Sequence, residues 1–401
     1  MRSSRRNIAA LAVCQGLLIT NNISVVSIGS LTGYALATNK ALSTLPATAY
    51  VVGGALSTFP ISLFMKRYGR RAGFTLGASA GLLGALLCTA AVASNVFWLF
   101  CLGTLVAGAY TASGGYYRFA AADVASPGFK SKAISLVLAG GMIGGVLGPE
   151  SSKLTKDLLS VAFLGSYAAI AVFALIAIAI LRLVELPPPS EQERSGPTRA
   201  LSEIVRQPVF VVACLGAVAA YASMNLLMGV TPLAMQMCGL PYASTALVIE
   251  SHIIGMFAPA LVAGALVQRF GALQVMAAGA LTYLVCVGTA LSGQTVWHFW
   301  WSGTLLGVGW CLLYIGATTL LTEAYAPAEK AKTQGINDTM VFVIMAASNA
   351  LSGVVLYRLG WNVLNVTALP LLLATLLALA WLALRRRAEA RVPAAVPSIL
   401  E

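Results

Sequence analysis

The chain has 401 residues, of which 59% are hydrophobic and only 9% are charged, and its formal net charge is +12. The charges cluster in a few short places, and the stretch from Phe74 to Tyr117 carries none. A transmembrane helix needs about 20 mostly apolar residues, and this chain contains many such runs. The composition therefore excludes an ordinary soluble domain. The basic excess needs no nucleic acid partner, because basic residues flank the helices of membrane proteins.

Twelve apolar runs lie between polar, glycine or proline interruptions, and their continuity excludes an alternating β-barrel pattern. The predicted fold is an all-α membrane protein with twelve transmembrane helices in two six-helix, pseudo-symmetric halves. The arginines at positions 2, 5 and 6 precede the first run, which we interpret as an uncleaved helix rather than a signal peptide. In chain order, the predicted helices are residues 8–33, 44–65, 72–93, 96–119, 131–150, 159–182, 208–229, 244–267, 272–292, 297–321, 335–356 and 365–384.

The basic residues predict the orientation of these helices. With the N-terminus in the cytoplasm, 21 of the 25 lysines and arginines fall in the cytoplasmic tails and loops. The other side keeps only Lys40, Lys153, Lys156 and Arg358. Since cytoplasmic loops carry an excess of Lys and Arg, both termini are predicted to be cytoplasmic.

Two loops repeat along the chain, which indicates an internal duplication. Arg67-Tyr68-Gly69 after helix 2 is matched by Arg269-Phe270-Gly271 after helix 8, at an offset of 202. Asp123, Pro127, Lys130 and Lys132 in the loop after helix 4 recur as Glu323, Pro327, Lys330 and Lys332, at an offset of 200. The longest polar interruption falls after six helices and is rich in Pro, Glu, Ser and Arg. The predicted organisation is a six-helix half over 1–184, a cytoplasmic linker over 185–207, a second half over 208–390 and a cytoplasmic tail over 391–401.

The loop between helices 2 and 3 resembles that of the major facilitator superfamily, which usually reads Gly-x-Leu-x-Asp-Arg-x-Gly-Arg-Arg. This chain has Ser62-Leu-Phe-Met-Lys66-Arg67-Tyr-Gly69-Arg70-Arg71, which keeps the basic and glycine positions but lacks the first glycine and the acid. The resemblance covers nearly the whole chain. It implies a transporter with two six-helix halves in parallel repetition.

Other segments extend the resemblance. Helix 5 carries Gly144-Gly-Val-Leu-Gly148-Pro149, similar to the family's Gly-x-x-x-Gly-Pro motif associated with antiporters. The segments Tyr117-Arg118-Phe-Ala-Ala-Ala-Asp123 and Gln334-Gly335-Ile-Asn337-Asp338 look like a bacterial subgroup of the family. The expected location is therefore the bacterial inner membrane, crossed many times.

The same motifs predict the gating residues, because in the family the acid of the first loop helps to hold the cytoplasmic side closed. Lys66 occupies that position here, so we expect Asp338, near the start of helix 11, to supply the negative charge and to pair with Lys66 or Arg67. In the alternative interpretation, Lys66 only reaches the lipid headgroups. The predicted gating set is Lys66, Arg67, Gly69, Arg70, Arg118, Asp123, Gly144, Gly148, Pro149 and Asp338.

By resemblance, helices 1, 4, 7 and 10 line the central cavity, and their polar and aromatic side chains are the substrate-binding candidates. Polar groups inside a membrane tend to face the protein interior; hydrogen bonding to a neighbouring helix or to the backbone is the alternative role. An aromatic lining with few charges suits an organic solute with apolar or ring character. The candidates are Asn21, Asn22, Tyr117, Tyr221, Asn225, Trp310 and Tyr314.

Two titratable residues in helix 8, Glu250 and His252, are the coupling candidates. An ionisable residue within a membrane helix is a functional hypothesis by default, and histidine titrates near physiological pH. In the alternative interpretation, His252 is neutral and forms a hydrogen bond to another helix, and Glu250 lies close enough to the surface to stay in contact with water.

The predicted function is a secondary transporter that moves a small organic solute by alternating access, coupled to protons or driven by the solute's own gradient, with export favoured by the helix 5 motif. Uptake of a small organic nutrient or metal chelate is the alternative, and a receptor or scaffold of the same fold is the non-transport alternative. Two histidines without metal-ligand spacing and the absence of a P-loop argue against an enzyme or ATP coupling. No cofactor or metal is expected, the partners are the solute, protons and membrane lipids, and a monomer is expected.

Overall fold

The computed structural model describes residues 2–39, 42–43 and 45–389, so the predicted tail over 391–401 and Lys40 lie outside the described residues. Within these ranges the chain is helical and contains no β-strand. Eleven segments are long and apolar enough to cross a membrane; the last, Pro327–Glu389, spans 63 residues and contains two helices. The predicted all-α fold is confirmed, and these segments accommodate the twelve predicted helices.

We number the membrane-crossing helices as spans 1 to 12, several of which consist of two helices joined at a kink. The first six are Arg2–Leu36, Leu45–Tyr68, Arg70–Ser94, Phe97–Gly114 with Tyr117–Val124, Lys130–Ala139 with Gly141–Thr155, and Leu164–Leu183. The last six are Pro208–Met228 with Thr231–Met237, Tyr242–Phe257 with Ala260–Phe270, Ala272–Ser292, Val296–Leu321, Lys330–Val366, and Leu369–Glu389. Two short helices, Glu191–Ser195 and Leu201–Val205, lie between spans 6 and 7.

The kinks have local causes. Span 8 breaks before Pro259, whose ring cannot donate a backbone hydrogen bond. Gly360 interrupts span 11 with a φ of 83°, a conformation that favours glycine.

Span 6 begins at Leu164 rather than at the predicted residue 159. The chain turns through Phe163, whose amide donates a hydrogen bond to the carbonyl of Lys156 at 2.7 Å.

The packing repeats between the first six and the last six spans. In the first group, span 4 packs on spans 2 and 3, and span 1 packs on span 5. In the second group, span 10 packs on spans 8 and 9, and span 7 packs on span 11. The groups meet where span 2 packs on span 11 and span 5 packs on span 8. Each contact thus has a counterpart six spans away, as the repeated loops predict.

We call the end of the bundle that carries residues 184–207 the linker face. The loops after spans 2 and 8 lie there, and each turns at a glycine: Gly69 has a φ of 90° and Gly271 has a φ of 89°. Both glycines directly precede the next helix, so a side chain at either position would strain the turn. The matching conformations at the same point of the two groups explain why Gly69 belongs to the loop motif.

The two groups are bonded to each other toward the linker face. Ser62 donates a hydrogen bond to the carbonyl of Ala331 at 2.6 Å. The Ser135 hydroxyl of span 5 donates to the carbonyl of Ala260 in span 8 and accepts from the amide of Gly264 in the same span. Further contacts between the groups lie between the middle of the bundle and this face, namely Arg70 to Gln334, Arg118 to Asp338, Gln268 to Gly128 and Lys330 to Asp123. The structure is therefore closed at the linker face.

Candidate functional site

An aromatic cluster lies where spans 7, 8 and 10 meet. Trp310 and Tyr314 are four residues apart, so both project from one face of span 10, and their rings stack with centroids 5.1 Å apart. Tyr221 from span 7 meets both rings edge-on, at 5.5 Å and 5.0 Å. Phe257 from span 8 reaches Trp310 at 6.1 Å. Three of the predicted substrate-binding residues are thus brought together by the fold.

A buried ion pair joins the two groups beside this cluster. Arg118 of span 4 contacts Asp338 of span 11 at 2.6 Å, and their side chains are only 4% and 7% exposed. The Arg118 guanidinium lies 4.8 Å from the centre of the Tyr314 ring. It also donates to the carbonyl of Gly115 at 2.5 Å, while the Asn337 amide donates to Asp338 at 2.8 Å. Burial of two charges is tolerable because each is paired and hydrogen-bonded.

This pair corrects the predicted partner of Asp338. We expected Lys66 or Arg67, but the carboxylate turns toward span 4, where Arg118 is buried. Lys66 and Arg67 lie at the end of span 2, and Arg67 is exposed with its guanidinium 5.3 Å from the centre of the Tyr68 ring. A buried carboxylate needs a buried counter-charge, and of these cations only Arg118 is buried.

Several buried polar atoms around the cluster have no hydrogen-bond partner within the described part of the chain. They include the indole Nε1 of Trp310, the Nε of Arg118 and the amide oxygen of Asn337. Unpaired buried polar groups are unfavourable, and at a binding site they are free to bond a ligand. Two donors and one acceptor are therefore available between the groups.

The other substrate candidates lie elsewhere or are already bonded. Tyr117 packs on Phe74 at 4.6 Å, within the first group. Asn225 donates to the carbonyl of Tyr221 at 2.8 Å, which is the predicted alternative role. Asn21 is buried with both amide atoms unpartnered among the described residues, and Asn22 is partly buried.

The coupling candidates differ in their surroundings. His252 is buried, and its Nδ1 lies 2.9 Å from the carbonyl of Gly303 in span 10. Glu250 is exposed, on another side of span 8. His252 thus makes a contact between helices of the kind that we considered as its alternative role, and Glu250 lies on the outside of the bundle.

A second polar network lies at the linker face. Lys330 contacts Asp123 and Glu193, both at 2.8 Å, and Arg70 contacts Asp123 at 3.4 Å and Gln334 at 2.6 Å. This network joins span 3, the end of span 4, the start of span 11 and the helix Glu191–Ser195. Arg70 and Asp123 were predicted to act in gating, whereas Glu193 and Lys330 were not.

The segment between spans 6 and 7 is anchored to the second group. Arg199 binds Glu329 through its backbone amide at 2.8 Å and through its guanidinium at 2.5 Å and 2.8 Å. These hydrogen bonds raise the pKa of the Arg199 guanidinium above its ordinary value. Only the acidic and basic composition of this segment hinted at such anchoring.

The glycines of span 5 allow it to pack closely on span 1. A Cβ at Gly144 would lie 2.5 Å from the carbonyl oxygen of Gly16, and one at Gly148 would lie 2.9 Å from Cβ of Ile23. Pro149 follows within the same helix. Small residues let helix backbones approach in membranes, so the motif serves a contact between spans 1 and 5.

Two six-span groups of matching packing are joined by a buried ion pair beside an aromatic cluster of the second group, and this architecture is typical of membrane transporters. The family model of the Major Facilitator Superfamily matches residues 9–259 and 213–400. The chain belongs to this superfamily of transporters, and it is a multi-pass membrane protein and a secondary transporter rather than an enzyme.

Individual relatives agree with this assignment. The riboflavin transporter RfnT of Brucella anthropi is 36% identical over 382 residues, which cover 94% of this chain and 96% of that protein. The uncharacterized MFS-type transporter YdeG of Bacillus subtilis is 28% identical and covers 82% of this chain and 81% of its own length. The solved structure of the transporter FucP in the outward conformation has a TM-score of 0.78 at 16% identity, covering 94% of this chain and 99% of FucP, which shows the shared fold.

Proposed function

We propose that the chain transports riboflavin, or a closely related flavin, across the bacterial inner membrane. The observation that carries the proposal is the 36% identity with the riboflavin transporter RfnT, which extends over 94% of this chain. A small organic solute with ring character is also what the aromatic candidates predict. The substrate moves between the two six-span groups, which we identify with the predicted halves over 1–184 and 208–390.

The chemistry of the cluster supports a flavin. The flavin ring system is planar and aromatic, and stacking on aromatic rings contributes about 0.5–1.5 kcal/mol per pair beyond the burial of area. Trp310, Tyr314 and Tyr221 offer such rings. The flavin ring also carries two carbonyl oxygens, which match the free donors on Trp310 and Arg118.

The orientation rests on the positive-inside rule. With the linker face in the cytoplasm, the structure represents the state that opens to the outside. The Arg118–Asp338 pair and the Lys330 contacts then belong to the closed cytoplasmic gate, together with Lys66, Arg67, Gly69 and Arg70. Opening of this gate requires the pair to separate.

For coupling, we propose that a proton acts at Asp338. Its carboxylate can accept a proton, which would remove its attraction to Arg118 and favour separation of the groups. His252 stays the second candidate, because it is an ionisable residue inside a membrane helix, although its Nδ1 is already hydrogen-bonded to Gly303. Glu250 is exposed and is the weakest of the three.

We propose uptake as the direction, since the relative's substrate is a nutrient. Export is the second candidate, and the Gly144–Gly148–Pro149 motif, which resembles that of antiporters, favours it. Transport assays in both directions distinguish the two.

The test is flavin transport by the purified protein in liposomes, measured by flavin fluorescence inside the vesicles under an imposed pH gradient. We expect accumulation by the wild type. Trp310→Ala should raise the apparent Kd for riboflavin about tenfold or more, because loss of the stacked ring removes roughly 1.4 kcal/mol.

The control is Trp297→Ala, which removes a tryptophan of the same span whose side chain is mostly exposed. It should bind riboflavin like the wild type. No riboflavin movement in either direction would reject the substrate. Equal losses in both tryptophan variants would reject the cluster as its site.

A further inference from the structure

A cavity of about 450 Å³ lies at the linker face, separate from the aromatic cluster. Its walls come from both six-span groups and from the segment between them. The charged side chains of the lining are Lys66, Arg70, Lys130, Lys330, Asp123 and Glu193. The apolar part of the wall includes Leu186, Pro187, Pro189 and Tyr325.

Both acidic residues of this cavity already form ion pairs with residues of the chain. Asp123 contacts Lys330 at 2.8 Å and Arg70 at 3.4 Å, and Glu193 contacts Lys330 at 2.8 Å. Two lysines therefore remain without a counter-charge among the described residues, namely Lys66 and Lys130. Four cations face two acids, so the lining has a positive excess.

Lys66 makes this excess unusual. It stands where the family's loop usually has an acid, and the acid expected to compensate for it, Asp338, is bound to Arg118 instead. Lys66 is partly buried and lines the same cavity as Arg70 and Lys330, and charges of like sign repel each other. A negative charge from outside the chain would relieve this repulsion.

We propose that this cavity binds the phosphate group of an organic phosphate. Lysine is a common phosphate ligand and acts as a point charge, and the cavity volume lies within the range of small-molecule sites. Lys66 and Lys130 contact the phosphate, while the proline and tyrosine wall accommodates the organic part. The phosphate comes either from an anionic lipid headgroup or from a free phosphate ester.

Such a ligand would act on the transport cycle, whatever the transported solute is. It would touch Lys66 and Lys130 of the first group and lie against Lys330 of the second. A ligand that binds one conformation shifts the equilibrium toward it. Here the favoured state is the one closed at the linker face, so the bound phosphate supplies the negative charge that the gate lacks.

The experiment measures thermal unfolding of the purified full chain in two arms at constant ionic strength. In the first arm, the delipidated protein in detergent is titrated with inorganic phosphate and with glycerol 3-phosphate, against chloride. In the second arm, nanodiscs of phosphatidylcholine are compared with nanodiscs that also contain phosphatidylglycerol. We expect the Tm to rise with phosphate or glycerol 3-phosphate in the first arm, with phosphatidylglycerol in the second arm, or in both. The arm that responds identifies the source of the phosphate.

The variants locate the effect. Lys66→Gln and Lys130→Gln should each weaken the apparent affinity about tenfold, the effect of losing roughly 1.4 kcal/mol. Arg67→Gln is the matched control, because Arg67 is the exposed neighbour of Lys66 and does not line the cavity. Lys66→Asp should abolish the phosphate response and raise the Tm in its absence.

Two results would overturn the proposal. One is a Tm that responds to phosphate in neither arm. The other is a response that Arg67→Gln weakens as much as Lys66→Gln does, which would indicate general surface charge. If Lys66→Gln fails to fold, Lys130→Gln decides, since an unchanged affinity in that variant contradicts the site.

Discussion

Asp338→Asn is expected to abolish accumulation of the solute against its gradient while leaving exchange across the membrane measurable. The asparagine keeps the shape of the side chain but cannot exchange a proton, so a pH gradient could no longer act through it. The measurement is pH-driven accumulation compared with counterflow in liposomes. The charged and titratable groups around this carboxylate are Arg118, Arg70, Tyr116, Tyr221, Tyr314 and Cys214.

The same pair should show strong coupling in stability. Arg118→Gln leaves Asp338 without its counter-charge, and breaking a buried ion pair in this way typically destabilises by about 3–5 kcal/mol. Combining Arg118→Gln with Asp338→Asn removes both charges, so the double variant should be more stable than either single variant. Additive losses would contradict a direct pair.

His252→Gln provides the comparison for coupling. If the proton acts at Asp338, this variant should still accumulate the solute, because the imidazole only bonds the carbonyl of Gly303 at 2.9 Å. Loss of accumulation in His252→Gln, together with normal accumulation in Asp338→Asn, would move the coupling site to span 8. Glu250→Gln, at an exposed position, should have no effect.

Gly148→Leu is expected to insert normally into the membrane but to lose most transport. Its side chain would meet Ile23 of span 1, where even a Cβ would lie 2.9 Å from the Cβ of Ile23. Overpacking of this kind commonly destabilises by about 1–3 kcal/mol. The measurements are the amount of protein in the membrane, the thermal stability and the initial rate of transport.

Gly288→Leu is the matched control for this substitution. Gly288 lies in span 9, and a Cβ there would have no described heavy atom within 4 Å outside its own helix and chain neighbours. This variant should transport like the wild type. If Gly148→Leu also does so, spans 1 and 5 do not need to pack closely during the cycle.

The sequence predicted the spans, the repeat and the excess of basic residues at one end of the bundle. These features follow from local chemistry, because a run of about 20 apolar residues needs only its own composition to favour a membrane helix. The repeated loops were visible for the same reason: Pro127 and Pro327, and Gly69 and Gly271, impose equivalent turns. Trp310 and Tyr314 could be grouped because helical spacing places them on one face.

The partners of the charged residues were decided only by the tertiary structure. Arg118 and Asp338 are 220 positions apart, and their contact depends on how spans 4 and 11 are rotated and placed. The motifs indicated both residues, but the predicted partner of Asp338 was wrong, since the sequence does not show which cation is buried. Glu193 was missed because its role comes from the position of a short helix against Lys330. Hydropathy is a property of each segment, whereas the pairing of buried charges is a property of the assembled bundle.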